Sequence, residues 1–121
     1  MTTKREWVLK AFKNEKVDKV PVGFWYHFTT DDERGDGFNP EIFNKNIAGH
    51  KKFVLDVNPD FVKVMSDGFF TYPNEQIHQG VTSIKELEGI VSIGENHPWI
   101  TQQVELAKKI REDFPEDIAS F

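Results

Sequence analysis

Residues 61–68, with the sequence FVKVMSDG, decide how this chain folds, because a short apolar run stops there at a Ser-Asp-Gly triplet. An apolar run of this length that is bounded by turn residues is typical of a buried strand. In α/β proteins the carboxyl ends of parallel strands carry ligands and catalytic groups, and Asp67 stands at such an end. Asp67 is therefore a candidate catalytic residue. The alternative is that it only starts a turn with Gly68, as Asp-Gly pairs commonly do.

Aromatic residues follow both of the apolar runs that we interpret as strands. Phe69, Phe70 and Tyr72 come after Asp67. The run at 20–25 leads in the same way into Tyr26 and His27. Because the carboxyl ends of parallel strands meet at one edge, the sequence predicts a substrate-binding group made of the following residues: Tyr26, His27, Phe69 and Tyr72. Core packing of the phenylalanines and ordinary loop hydrogen bonding of His27 stay open as alternatives.

The composition predicts one folded domain spanning residues 1–121. Hydrophobic residues make up 38% of the chain and eleven residues are Phe, which indicates a packed core and not a disordered chain. The net charge of -5 argues against a nucleic-acid surface, which requires clustered Lys and Arg. We therefore expect a small-molecule substrate and neither a nucleic-acid nor a membrane partner.

The residue types that are missing or scattered limit the chemistry. The chain has no Cys, which excludes disulfides and thiolate metal sites. Its four His, at 27, 50, 78 and 97, lack the spacing of a helical zinc site. The amino terminus leads into an amphipathic segment instead of an apolar signal core, and no window approaches the roughly 18 apolar residues of a membrane span. The sequence is typical of a cytoplasmic protein without a metal site of its own.

Capping signals and apolar spacing predict the order of elements. Thr3 and Glu6 have capping-box spacing, as do Ser83 and Glu86, and each pair predicts a helix start. We expect helices over 3–14 and 40–55, a short helix from 83 ended by Gly89, and a helix opened by 96–98 and stopped by Pro115. Strands are expected over 20–25 and 61–65, with a further strand beginning at 117–121. The polar segments 29–39 and 74–82 are predicted loops.

Strands that alternate with helices predict an α/β fold with a parallel sheet and right-handed crossovers. Two or three strands are few for such a sheet, because parallel sheets are normally buried on both faces. The chain is therefore expected to be the opening of a larger α/β structure or to complete its sheet by self-association.

Three segments resemble the N-terminal part of the uroporphyrinogen decarboxylase-like family: 17–25 (VDKVPVGFW), 60–68 (DFVKVMSDG) and the helix that begins at His97-Pro98. This family comprises the decarboxylases of porphyrin biosynthesis and the methyltransferases that act on cobamide-bound or thiol-bound methyl groups. The resemblance covers nearly the whole chain but only about the first third of a family member. It implies the first βα units of a TIM (β/α)8 barrel, a fold of ~250 residues.

The resemblance also implies a role for Asp67. In the decarboxylases the Asp at this place binds the pyrrole N–H groups and stabilises the positive charge that develops on protonation. The decarboxylases carry substrate-binding arginines just after the first strand, whereas this chain has no arginine between Tyr26 and Thr30. A polyanionic porphyrinogen would therefore lose its bidentate partners. The resemblance thus favours the methyltransferase-like branch, acting on a methylated corrinoid or thiol, or an uncharacterised branch of the family. The tetrapyrrole lyase branch is the alternative.

The resemblance implies that the active site is incomplete in this chain. The zinc ligands of the methyltransferases lie later in the barrel, so zinc or a corrinoid would be expected only with the full-length protein and no cofactor with residues 1–121. The isolated chain is expected to be inactive. A different hypothesis is a non-catalytic module that self-associates to cover its incomplete sheet.

Overall fold

A computed structural model describes residues 2–121 and shows an α/β fold with three α-helices and a three-stranded sheet. The elements are α1 (Lys4–Phe12), β1 (Gly23–Phe24), α2 (Pro40–Val57), β2 (Phe61–Val62), α3 (Pro98–Glu112) and β3 (Ala119–Ser120). Short 3-10 helices occupy Asp31–Glu33 and Ile84–Leu87. The strand β2 lies between β1 and β3 and runs parallel to both. The predicted α/β class and the parallel sheet are confirmed.

The strands are shorter than predicted. The expected strand at 20–25 pairs only through Gly23–Phe24, since Pro21 has no N–H and the side chain of Asp60 accepts the N–H of Val22 at 2.8 Å. The expected strand at 61–65 pairs only through Phe61–Val62. Two further bonds continue the contact between the β2 segment and the residue after β3: the Phe121 N–H donates to the Val62 carbonyl at 3.2 Å, and the Val64 N–H donates to the Phe121 carbonyl at 2.8 Å.

The helices α2 and α3 pack together on the face of the sheet that carries Val62. The core contains Val54 from α2, Leu106 and Ile110 from α3, and also Phe69, Phe114 and Ile118. Neighbouring residues of a strand face opposite sides, so Phe61 points to the other face. There its ring lies 5.9 Å from the ring of Phe121. Both crossover helices thus lie on one side of the sheet.

Helix caps account for most of the element boundaries. The Thr3–Glu6 capping box is present at α1, although α1 ends two residues earlier than predicted. At α2 the side chain of Asn39 caps the first turn, and Asn58 in the left-handed region ends the helix after Val57.

The helix α3 opens within the predicted segment 96–98, where His97 is the cap and its Nδ1 accepts the Trp99 N–H at 3.0 Å. Two other segments differ from the prediction. Ser83 opens a 3-10 helix that ends at Leu87 instead of an α-helix. The segment 29–39, predicted as a loop, contains a 3-10 turn at Asp31–Glu33 that the Thr30–Glu33 pair caps with the same T-x-x-E spacing.

The helix α1 lies near the amino ends of the strands. The Lys4 ammonium donates to the carbonyls of Asn58 and Pro59, just before β2. The indole N–H of Trp7 donates to the Lys19 carbonyl at 2.8 Å, before β1. None of the helices within residues 2–121 has the length and apolar character needed to cross a membrane.

Each edge of the sheet borders an apolar groove. The groove beside β1 has a volume of about 300 Å³, and Tyr26, Phe28 and Phe53 are among its lining residues. The groove beside β3 has a volume of about 350 Å³ and includes Val64, Leu106 and Phe121. These are the places where further βα units would lie in a larger sheet.

Candidate functional site

Asp67 and His27 form a hydrogen-bonded pair at the carboxyl ends of β2 and β1. Oδ1 of Asp67 lies 2.9 Å from Nδ1 of His27. Oδ2 accepts the backbone N–H of Phe28 at 2.7 Å. An ionised carboxylate only accepts hydrogen bonds, so the pair requires the proton of the His27 ring to sit on Nδ1. Nε2 of His27 is then a lone-pair nitrogen.

Burial divides the pair into an inner and an outer group. The side chain of Asp67 is completely buried, whereas the side chain of His27 is 46% exposed. The ring of Phe70 lies edge-on to the His27 ring, with the centroids 5.6 Å apart, and Phe70 is itself exposed. A ligand can therefore contact His27, and the buried Asp67 carboxylate fixes the orientation of the His27 ring.

The order of the strands in the sheet brings His27 and Asp67 together. His27 follows β1 and Asp67 follows β2, and these two strands are neighbours. Phe28 is anchored because its ring packs on α2, 4.6 Å from the His50 ring and against Gly49, where an added Cβ would collide with it. An anchored Phe28 holds its own N–H at the carboxylate of Asp67.

Two buried side chains of α2 hold the backbone of Met65, two residues before Asp67. Nε2 of His50 accepts the Met65 N–H at 3.0 Å, and Nδ2 of Asn46 donates to the Met65 carbonyl at 2.9 Å. Nδ1 of His50 donates to the Asn46 carbonyl at 2.8 Å. A longer β2 would have used the Met65 N–H and carbonyl for pairing in the sheet, but α2 occupies both groups. The same bonds fix the segment that leads from β2 to Asp67.

Burial lowers the pKa of His50, against smaller opposing effects from the Asn46 carbonyl and the charge of Asp67. The hydrogen bond from the Met65 N–H acts in the same direction as burial, since Nε2 must stay unprotonated to accept it. The helical spacing of Phe43, Ile47, His50 and Val54 predicts an interior position for His50, and the structure confirms it.

We expect stability to fall with acidification through His50. Its folded-state pKa lies below its ordinary value of 6.5. The unfolded chain therefore binds the proton first, and stability is lost as the pH falls from 6.5 toward the folded pKa, at no more than ~1.4 kcal/mol per pH unit. Urea unfolding at several pH values between about 7.5 and 5.5 measures this, with His50→Gln for comparison. An equal pH slope in the two proteins would contradict this role of His50.

A close backbone contact fixes the turn after Asp67. Gly68 has φ of +95°, and its carbonyl accepts the Gly37 N–H at 2.8 Å. A Cβ on Gly68 would lie 2.5 Å from the Cα of Gly37, where no flexible side chain could move away. The turn therefore requires glycine for both its conformation and its neighbour.

Gly68→Ala is expected to destabilise the protein more than Gly89→Ala. Both glycines have positive φ, but an added Cβ on Gly89 meets nothing within 4 Å. The left-handed conformation costs about 1 kcal/mol in each variant, and the collision with Gly37 adds to it only at position 68. Urea unfolding of both variants gives the difference, and equal losses would show that the contact between 37 and 68 is absent in solution.

The other residues predicted for the site lie apart from His27. The ring of Tyr26 faces the groove beside β1, 5.7 Å from the ring of Phe28. The Tyr72 hydroxyl accepts the Ile93 N–H at 3.3 Å, and its ring packs on Trp99 at the start of α3.

The structure places Phe69 in the hydrophobic core instead of beside His27. Its ring also packs edge-on against Phe38, 5.4 Å away. Gly68 turns the chain, so the residue after it points inward, and Phe69 is not accessible to a ligand. It is therefore left out of the site that we propose below.

Two groups of the site are not among the predicted substrate-binding residues. The Phe28 N–H is a backbone group, so the identity of residue 28 carries no sign of it. The sequence indicates Phe70 only as one of the aromatic residues after Asp67, whereas the structure places it, and not Phe69 or Tyr72, beside His27. The alternation of side chains about the turn was the signal that could have favoured Phe70.

Within residues 2–121, no three side chains of the types that bind metals come together as a site. Comparison of the chain with protein-family models, with curated proteins and with solved structures finds no match.

Proposed function

We propose that this chain is the N-terminal part of a uroporphyrinogen decarboxylase-like enzyme, in which His27 moves a proton and Asp67 holds it in place. The observation that supports this most is a fully buried carboxylate bonded to a half-exposed imidazole where two neighbouring parallel strands end. In α/β enzymes this edge of the sheet is where catalytic groups lie.

The pair has the chemistry of a general base. Nε2 of His27 can take a proton from a substrate, and the resulting imidazolium is stabilised by the Asp67 carboxylate. A thiol substrate would give its S–H proton to Nε2, and the thiolate would then be the nucleophile that accepts a methyl group. The same imidazole, once protonated, can return the proton, which is the step that decarboxylation of a tetrapyrrole needs.

The methyl-transfer branch is the first choice for the substrate. The segment that follows β1 has no arginine to bind a porphyrinogen's carboxylates, and Arg34, the next arginine, pairs with Asp31 at 2.7 Å. We therefore propose a methylated corrinoid and a thiol as the substrates of the whole enzyme, with a tetrapyrrole as the alternative.

The TIM barrel belongs to the same proposal. The opening units of such a barrel require sequential parallel strands with the crossover helices on one side of the sheet. In this chain the strands follow the order β1-β2-β3, and α2 and α3 lie on one side. The apolar grooves beside β1 and β3 would receive the neighbouring βα units. The site would then be shared between this chain and those units.

A non-catalytic, self-associating module is the second candidate, and the two edge grooves favour it. Without neighbouring units, grooves lined by side chains such as Phe53 and Leu106 would be covered by another copy. Light scattering over a range of concentrations tests this, and a monomer at every concentration would exclude it. Val104→Lys, which charges the groove beside β3, should weaken association more than Ile84→Lys on the exposed 3-10 helix.

Ligand titration tests the proposed enzyme function. We expect saturable binding of methylcobalamin or of a carboxylated porphyrin, followed by absorbance, with an affinity that His27→Gln and Asp67→Asn each reduce by about tenfold or more. His78→Gln is the matched control, since His78 lies in an exposed loop and its Nδ1 accepts only the Gly80 N–H. Binding that neither His27→Gln nor Asp67→Asn changes would refute the assignment.

A further inference from the structure

A cleft of about 450 Å³ lies at the amino ends of the strands, away from His27 and Asp67. Trp7 and Lys10 of α1 form one wall, and residues 16–19 form the other. The helix α1 ends at Phe12, and Asn14 in the left-handed region reverses the chain. The hydrogen bond from the Trp7 indole to the Lys19 carbonyl then holds the returning segment beside the helix.

Positively charged side chains line the cleft, although the net charge of the protein is -5. Lys10, Lys16 and Lys19 line it, with Asp18 as the one carboxylate among the lining residues. The ammonium of Lys19 lies 4.2 Å from the centroid of the Trp7 ring, which holds it at the wall of the cleft. Like charges gathered in a cleft repel one another and attract an anion.

Four of the nine lysines elsewhere in the described chain have a carboxylate partner within 4.0 Å, and the other five, such as Lys13 and Lys108, have none. The pairs are Lys45 with Glu33, Lys51 with Asp113, Lys52 with Asp56 and Lys109 with Glu105. Within residues 2–121, Lys10 and Lys16 have no carboxylate oxygen within 4.0 Å, and Lys19 has only a long contact of 3.8 Å to Asp60.

Glu6 lies one helical turn before Lys10. Its carboxylate accepts the Thr3 backbone N–H at 2.9 Å in the capping box of α1. That hydrogen bond, with a smaller effect from the charge of Lys10, lowers the pKa of Glu6. Within residues 2–121, Glu6 forms no ion pair with Lys10, so the Lys10 ammonium remains available to a ligand.

We propose that this cleft binds a small ligand that carries a diphosphate group. With three lysines and one aspartate, the lining side chains carry a net charge of +2, which suits the negative charge of two linked phosphates. Lysine binds phosphate as a compact point charge. The volume lies within the range of small-molecule sites, although it is too open to enclose a large apolar ligand. The site is independent of the proposed function, because it shares no residue with the pair of His27 and Asp67.

The three tryptophans allow a direct test on the whole chain. The indole N–H signal of Trp7 should shift and saturate on titration with pyrophosphate at low salt, while those of Trp25 and Trp99 stay in place. In Lys10→Gln/Lys16→Gln the affinity should fall by about tenfold or more. Lys108→Gln/Lys109→Gln on α3, with the same change of net charge, should bind as the wild type does. The three indole signals also report whether each variant is folded.

Adenosine diphosphate, titrated in parallel, identifies the source of the diphosphate. Tighter binding of the nucleotide assigns the cleft to nucleotides, and equal or weaker binding assigns it to free diphosphate. A Trp7 signal that does not move up to about 10 mM pyrophosphate would overturn the proposal, since no site would then reach the millimolar range. Equal weakening in the two double variants would overturn it as well, because it would reveal only a general charge effect.

Discussion

Asp67→Ala is expected to lower the free energy of unfolding by about 2 kcal/mol or more, because it removes the acceptor of a buried backbone N–H and of the His27 ring. The change leaves the Phe28 N–H without its acceptor at 2.7 Å and the Nδ1–H of His27 without its acceptor at 2.9 Å. It also leaves a small cavity behind the turn at Gly68. Urea unfolding followed by circular dichroism measures the loss.

Asp67→Asn is the matched control. Asn keeps the shape of the side chain and one oxygen that can accept the Phe28 N–H, so we expect less than half of the loss seen with alanine. Its amide NH₂ would face Nδ1 of His27 and force the ring proton onto Nε2. A loss in Asp67→Ala no greater than that in Asp67→Asn would show that the carboxylate is not the buried acceptor described above.

His50→Leu is expected to cost about 2 kcal/mol or more, although leucine fills much of the space of the imidazole. The substitution leaves the buried Met65 N–H without an acceptor, and an orphaned buried N–H costs roughly 1–3 kcal/mol. It also removes the contact between the His50 and Phe28 rings at 4.6 Å. His78→Leu, in an exposed loop, should change stability by no more than about 0.5 kcal/mol.

Hydrogen exchange separates this mechanism from a general loss of packing. The Met65 amide should exchange much faster in His50→Leu relative to other core amides, such as that of Ile110. If Met65 keeps its relative protection in the variant, the hydrogen bond to His50 does not hold the strand end.

The helix ends and the interior position of His50 could be predicted because they depend on local chemistry. Thr3 with Glu6 and Asn39 with Pro40 each satisfy backbone groups within one turn, so the short sequence contains the whole interaction. The turn at Asp67 and Gly68 followed from the abrupt change from apolar to turn residues. In these places the local sequence and the tertiary structure agree.

The strand lengths could not be predicted, since they depend on competing partners that are distant in the sequence. Asp60 takes the Val22 N–H, and the side chains of Asn46 and His50 take the backbone of Met65. An apolar run shows that a segment is buried, but it does not show whether a strand or a side chain satisfies its backbone.

The makeup of the site was predicted in part. His27 and Asp67 meet because each follows one of two neighbouring parallel strands. Tyr26 precedes His27 by one residue, so the two side chains leave an extended segment on opposite sides and cannot both face Asp67. The contact between Gly37 and Gly68 had no sequence signal beyond the glycines themselves.

The tautomer of His27 shows whether Asp67 accepts the ring proton of His27 and so holds the imidazole in place. Long-range ¹H–¹⁵N spectra of the imidazole at about pH 8, where histidines are neutral in general, distinguish a ring proton on Nδ1 from one on Nε2. We expect Nδ1–H in the wild type, bonded to Asp67, and Nε2–H in Asp67→Asn. An Nε2–H ring in the wild type, or spectra that do not differ between the two proteins, would contradict the role of Asp67.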